Sequence, residues 1–230
     1  MWSAPIMIQQ LPAVVYPTHY PTRAERSADR WVHLIGLSSA GLGGVVLMGL
    51  SLGLGSWTQT LAIGAYSLCM LATFVCSAAY NLASPFRQPL LRRFDHAAIF
   101  LMIAGSYTPF TTQRLHGAVA VYMTGLVWLT AVCGVLGKLF LPGLSKRIWV
   151  GVYLALGWLA IIAVKPLIAT VSAISLALLL AGGIVYSTGI LVYIRQKLKF
   201  RRAVWHGFVL AAAATHYVAI LTGVVLAPTR

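Results

Sequence analysis

The sequence predicts an all-α protein, a bundle of seven transmembrane helices with its N-terminus in the cytoplasm and its C-terminus outside. Three observations lead there. The 230-residue chain is 60% hydrophobic and only 9% charged, with a mean hydropathy of +0.86, whereas a soluble domain carries about 25% charged residues to cover its surface. Apolar runs long enough to cross roughly 30 Å of hydrocarbon recur along it. The basic residues sit in short clusters between those runs, the pattern that orients helices in a bilayer.

The apolar runs lie near 31–54, 59–83, 95–113, 117–139, 147–164, 170–194 and 204–226, the fifth being the shortest. Charge tests this count independently. Arg23, Arg26 and Arg30 precede the first run, and Arg87, Arg92 and Arg93 follow the second. Lys138, Lys146 and Arg147 lie between the fourth and fifth, and Arg195, Lys197, Lys199, Arg201 and Arg202 between the sixth and seventh. Of the 17 Lys and Arg residues, only Arg114, Lys165 and Arg230 fall on the opposite side. Adding or dropping one span scrambles this alternation, and the positive-inside rule places the basic side in the cytoplasm. A multi-pass protein of the cell (inner) membrane is expected.

The chain is read as a cytoplasmic N-terminal segment, 1–30, followed by a seven-transmembrane domain, 31–230. The first thirty residues lack a charged region followed by an apolar one, so no cleaved signal peptide is expected and the first span serves as the targeting signal. Thr22 and Glu25 have capping-box spacing and predict a helix start. Gly49, Gly53 and the Ala211–Ala214 run suit close helix packing, and Pro109 and Pro166 end or kink their helices. Cys69, Cys76 and Cys133 have no paired spacing, which argues against a disulfide framework or a thiolate zinc site. The net charge of +14 points to anionic membrane lipids as partners and not to nucleic acid, because it is dispersed among membrane-flanking clusters.

Polar residues converge at one depth. Ser77 and Asn81 share a face at the cytoplasmic end of the second span, and Asp95 and His96 open the third. Arg202 and His206 open the last at i, i+4 spacing, and Asp29 and His33 open the first in the same way. Ionisable groups in membrane helices are costly and invite a functional reading. Each also has a plainer one: Asp95 as a helix cap, Arg202 as a snorkelling interfacial charge, Asp29 and His33 as a helix-start pair, and His216 as a packing hydrogen-bonder. His19 and His116 lie outside the spans and carry no signal.

Five stretches carry a resemblance: SAAYN (77–81), RRFDHAAIFLMIAGSYTPF (92–110), LGWLAIIAVKPL (156–167), GGIVYSTGILVY (182–193) and WHGFVLAAAATHYVAI (205–220). In this order, from about residue 30 to the C-terminus, the chain resembles the hemolysin III family. That family is the bacterial branch of the superfamily that includes adiponectin and progestin receptors and alkaline ceramidases. The resemblance implies a zinc site at the cytoplasmic end: a His on the second span four residues after a Ser, two His spaced H-x-x-x-H on the seventh, and a Ser and an Asp acting on the zinc-bound water. Ser77, Asp95 and His206 match and are the candidate catalytic residues, with His206 also the matching metal ligand. The other two ligand positions hold Asn81 and Arg202.

An amide oxygen is a weak zinc ligand and a guanidinium offers no lone pair. No cofactor is therefore expected, with Arg202 taking the place of zinc by bridging Asp95, Asn81 and Ser77. The rival is a rearranged zinc site recruiting His33, His96 or Asp95 with His206. The functional expectation is a receptor-like or membrane-perturbing, pore-forming protein with a degenerate zinc site, as the hemolysin name implies. The alternative is a ceramidase-like, zinc-dependent lipid-amide hydrolase; an ion or proton pathway through Asp95 and His206 is a third class.

Overall fold

The computed structural model describes residues 19–141, 143–195 and 197–228. Much of the expected N-terminal segment, residues 1–18, therefore lies outside the described residues. The first helix, α1 (Arg23–Leu54), starts where the capping spacing places it: Thr22 Oγ1 accepts from the Glu25 N–H at 3.2 Å. Only half of the capping box forms. The Glu25 carboxylate accepts from the backbone N–H of Phe200 at 3.0 Å, so it joins the start of the first helix to the start of the last.

Next come α2 (Trp57–Leu82), α3 (Gln88–Gln113) and α4 (Gly117–Phe140), then α5 (Lys146–Gly157), α6 (Val164–Thr170), α7 (Ala173–Ile194) and α8 (Arg201–Ile220). Among the described residues there is no strand. Six helical stretches are long and apolar enough to cross a membrane, α5 and α6 counting as one with the 3₁₀ turn between them. Large apolar side chains such as Leu42, Val45, Leu68 and Val121 point outward, which suits a hydrocarbon solvent and not water. The helix outside the six is α3, which packs against α2, α4, α5 and α8. A helix shielded by protein on so many sides needs less apolar surface than one facing lipid.

The fifth apolar run is not one continuous helix. It breaks at Gly157 and Trp158, passes through a 3₁₀ turn (Leu159–Ala163) and resumes as α6. Pro166 sits in the first turn of α6, where its missing N–H costs nothing. Backbone groups freed at membrane depth must be re-paired within the protein, and Tyr107 of α3 does this. Its hydroxyl donates to the Gly157 carbonyl at 2.9 Å and accepts from the Ala160 N–H at 2.8 Å. Pro109 does not end its helix, since α3 continues to Gln113.

Close helix packing uses different glycines from those expected. A Cβ at Gly49 or Gly53 would meet nothing within 4 Å, whereas one at Gly36 would lie 2.7 Å from the Phe74 ring and one at Gly105 2.6 Å from Cys69 Cβ. In the alanine run only the middle pair packs, with Ala212 and Ala213 buried and Ala211 and Ala214 exposed. At the opposite end from the polar cluster, buried Arg114 donates to the carbonyls of Gly223, Val224 and Pro228. Those carbonyls lie in and just after a π-helical turn (Leu221–Val225) that ends α8, where regular pairing is lost.

Tyr107→Phe is expected to lower unfolding stability in detergent by about 1–3 kcal/mol, because two backbone groups at the helix break lose their partner. A denaturant or thermal unfolding series indistinguishable from wild type contradicts this bridging role.

Candidate functional site

The polar side chains are gathered by four helices at one end of the bundle: the starts of α1 and α8, the end of α2 and the first third of α3. Asp29 and His33 share the inward face of α1, one turn apart, and both are buried, at 0% and 4% exposure. His206 Nδ1 approaches Asp29 Oδ1 to 2.6 Å. The rings of His33 and His206 meet edge to face, with centroids 4.4 Å apart. Asp29, His33 and His206 each offer one ligand atom, and these atoms lie within 4.8 Å of one another.

The hydrogen bonds around them fix the proton positions. A guanidinium only donates, so the atom of Asn81 facing Arg202 at 3.4 Å is its oxygen, and His19 Nε2 donates to that same oxygen at 3.0 Å. The Asn81 amide nitrogen then donates to the Ser77 carbonyl at 3.0 Å and toward His206 Nε2 at 3.5 Å. Nε2 of His206 therefore presents a lone pair, and its Nδ1 carries the proton given to Asp29. His33 interacts with the Ser77 backbone, while its Nε2 is buried with no hydrogen-bond partner.

The other expected residues are distributed around this core. Ser77 hydrogen-bonds the Asp95 carboxylate, which also feels the charge of Arg202. Among the described residues no ion pair joins Asp95 to Arg202. The expected bridge is replaced by different partners: Arg202 turns to Asn81 and to the backbone carbonyl of His19, at 3.1 Å. The physical reason is position. Asp29, fully buried on α1, meets α8 at His206, whereas Asp95 retains 15% side-chain exposure on α3. His96 does not enter the core of the cluster; it lies 4.0 Å from Asp95 in the field of Lys138 and Lys146. His216 packs between helices as expected, its Nε2 at 3.3 Å from the Leu179 carbonyl.

Two participants were not anticipated. His19 contacts Asn81 and Arg202, and Tyr20 donates its phenol proton to Asp29 Oδ2. Burial lowers the His19 pKa below its ordinary value. Burial and the Asp29 carboxylate hold the Tyr20 phenol well above its own, so it stays a donor.

These features define a multi-pass helical membrane protein with a buried Asp–His–His cluster at one end of the bundle. The family is then direct. A model described as haemolysin-III related matches residues 22–217, and the chain belongs to that family. It is 34% identical over 201 residues to the hemolysin-3 homolog of Bacillus subtilis (strain 168), covering 87% of this chain and 94% of that one. Hemolysin-3 of Bacillus cereus is 33% identical over 168 residues, 73% of this chain and 77% of its own. The monocyte to macrophage differentiation factor of Homo sapiens is 27% identical over 217 residues, 91% of this chain and 88% of its own.

Asp29→Ala and His206→Ala are each expected to destabilise the metal-free protein by about 3–5 kcal/mol, the usual cost of breaking a buried pair. The double variant should cost less than the sum, and Asp95→Ala should cost less than either single change. Thermal or SDS-titration unfolding measures this, and strict additivity contradicts the coupling.

Proposed function

We propose that the Asp29–His33–His206 cluster is a rearranged zinc site and that the protein is a metal-dependent hydrolase acting on a lipid amide at the cytoplasmic face. The observation that carries this reading is the unpartnered, buried Nε2 of His33 beside a carboxylate and a second imidazole. An orphaned buried acceptor is costly, and a cation supplies its missing partner. The donor set fits: two imidazoles and one carboxylate are a common catalytic zinc triad, with a fourth position left open. The His33 contact to the Ser77 backbone is the kind of outer contact that orients a ligating imidazole.

Bound zinc would supply Lewis acidity and a water acidified to near neutrality. This chain's own groups have separate roles. Asp95 takes up a proton at its carboxylate, which Ser77 orients by hydrogen bonding. In the metal-free protein Asn81 occupies the His206 Nε2 lone pair, which it would yield to the metal, and Arg202 neutralises negative charge at the cytoplasmic rim. A cleft of about 190 Å³ between α1, α2 and α8, walled by Gly36, Ala40, Gly43, Phe74 and Ala213, begins one helical turn from His33. Its apolar walls suit the chain of a membrane lipid.

A second reading has its own support. The 2.6 Å Asp29–His206 contact satisfies both groups without a cation, as a receptor-like or membrane-perturbing protein would need. Metal analysis separates the two. Purified wild type should carry about one zinc per chain, and His33→Ala should lose it while remaining folded. Metal-free protein that cannot be loaded with zinc favours the receptor-like reading.

We also propose that α3 is the seventh span and that the N-terminus is cytoplasmic. The segregation of basic residues supports this. A reporter fused after Arg230 should read outside and one inserted at 87–93 inside; the same side for both overturns it.

A further inference from the structure

We propose that His19 to Thr22, immediately before α1, form a latch across the cytoplasmic mouth of the site, with Tyr20 a positioning residue for the Asp29 carboxylate. A surface segment normally meets its domain through a few solvated contacts. This one reaches the buried cluster at both of its first two described residues. His19 donates from Nε2 to Asn81 Oδ1 at 3.0 Å, and its backbone carbonyl accepts from Arg202 Nε at 3.1 Å. Its ring meets the Tyr80 ring edge to face at 5.0 Å. Tyr20 donates to Asp29 Oδ2, the oxygen not used by His206, and the Arg202 guanidinium lies 5.6 Å from the centre of its ring. Three helices are therefore tied together through the segment: α1 at Asp29, α2 at Asn81 and α8 at Arg202.

The two residues do different things. Tyr20 holds one carboxylate oxygen, so it sets the direction in which Asp29 presents the other. Outer contacts of this kind change metal affinity by about 10–100-fold when removed. His19 touches none of the three cluster residues by hydrogen bond; it bolts the segment to Asn81 and Arg202. Opening that bolt exposes His33 and His206 to the aqueous side, so His19 controls the rate of entry and exit and leaves the equilibrium alone. Asn81 and Arg202 stand at the two positions where the resemblance leads one to expect ligands, and here they form the strike plate for His19. The role of Tyr20 rests on the zinc reading above, whereas the latch does not.

Full-length protein in nanodiscs tests both. Tyr20→Phe should weaken zinc binding by about 10–100-fold in a competition titration with a chromophoric chelator. His19→Ala should accelerate zinc release into excess chelator by about tenfold, the effect of losing one hydrogen bond from the closed state, with the affinity little changed. His19→Gln keeps a side-chain N–H for Asn81 and should restore slow release. A second readout needs no metal: carbethoxylation of His33 by diethyl pyrocarbonate, followed by peptide mass mapping. In the metal-free protein His19→Ala should speed this modification by about tenfold, and His19→Gln should bring it back toward wild type. Wild type that binds no zinc, with His19→Ala still speeding the modification, overturns the zinc reading and keeps the latch. Unchanged modification in His19→Ala, or a Gln variant that behaves like Ala, overturns the latch; unchanged zinc affinity in Tyr20→Phe on protein that does bind zinc overturns the positioning role.

Discussion

The contact on which the rest of this structure depends is the one between Asp29 and His206, at 2.6 Å. It joins the first helix to the last and so closes one end of the bundle. A carboxylate with no exposed surface survives at membrane depth only if donors meet both of its oxygens. His206 supplies one and Tyr20 the other. Everything nearby is arranged to keep those donors in place: Arg202 turns the Asn81 amide, Asn81 fixes the His206 tautomer, and Glu25 ties the start of α1 to the start of α8.

This wiring explains how a member of the haemolysin-III related family holds a polar site with Asn81 and Arg202 where the resemblance implies imidazole ligands. Removing two donors from α2 and α8 leaves His206 without its set. On α1, Asp29 and His33 reach His206 from the other side. Among the described residues Arg202 makes no ion pair with Asp95. It donates to the Asn81 amide oxygen and to the His19 backbone carbonyl, contacts that a planar five-donor group makes well.

The helical spans were legible because periodic apolar runs and charge segregation are properties of the chain itself. Thr22 marked the start of α1 for the same reason: a cap is local. The shared depth of Ser77, Asn81, Asp95, His206, Asp29 and His33 could also be read, since i, i+4 spacing fixes a face and the span boundaries fix a level. What could not be read was which neighbour each face meets. Arg202 and Asp95 have opposite charge and similar depth, yet α8 presents Arg202 to α2 and to the N-terminal segment. His19 gives no local signal because it precedes the first apolar run, and nothing in its neighbours says that the segment folds back. Gly49 and Gly53 matched a packing pattern on the wrong stretch of α1; Gly36, three residues from His33, is the one against which Phe74 packs. The break at Gly157 and Trp158 was hidden because an apolar run reads alike whether its backbone is continuous or bridged by Tyr107.

The most direct test of the central claim is a zinc anomalous difference map from crystals of the full-length protein. The account predicts a single peak among Asp29, His33 and His206, with zinc–nitrogen distances of about 2.0–2.1 Å. A peak centred instead on Asp95 and His96, or a zinc-soaked crystal in which the Asp29–His206 contact persists with no peak beside it, contradicts it.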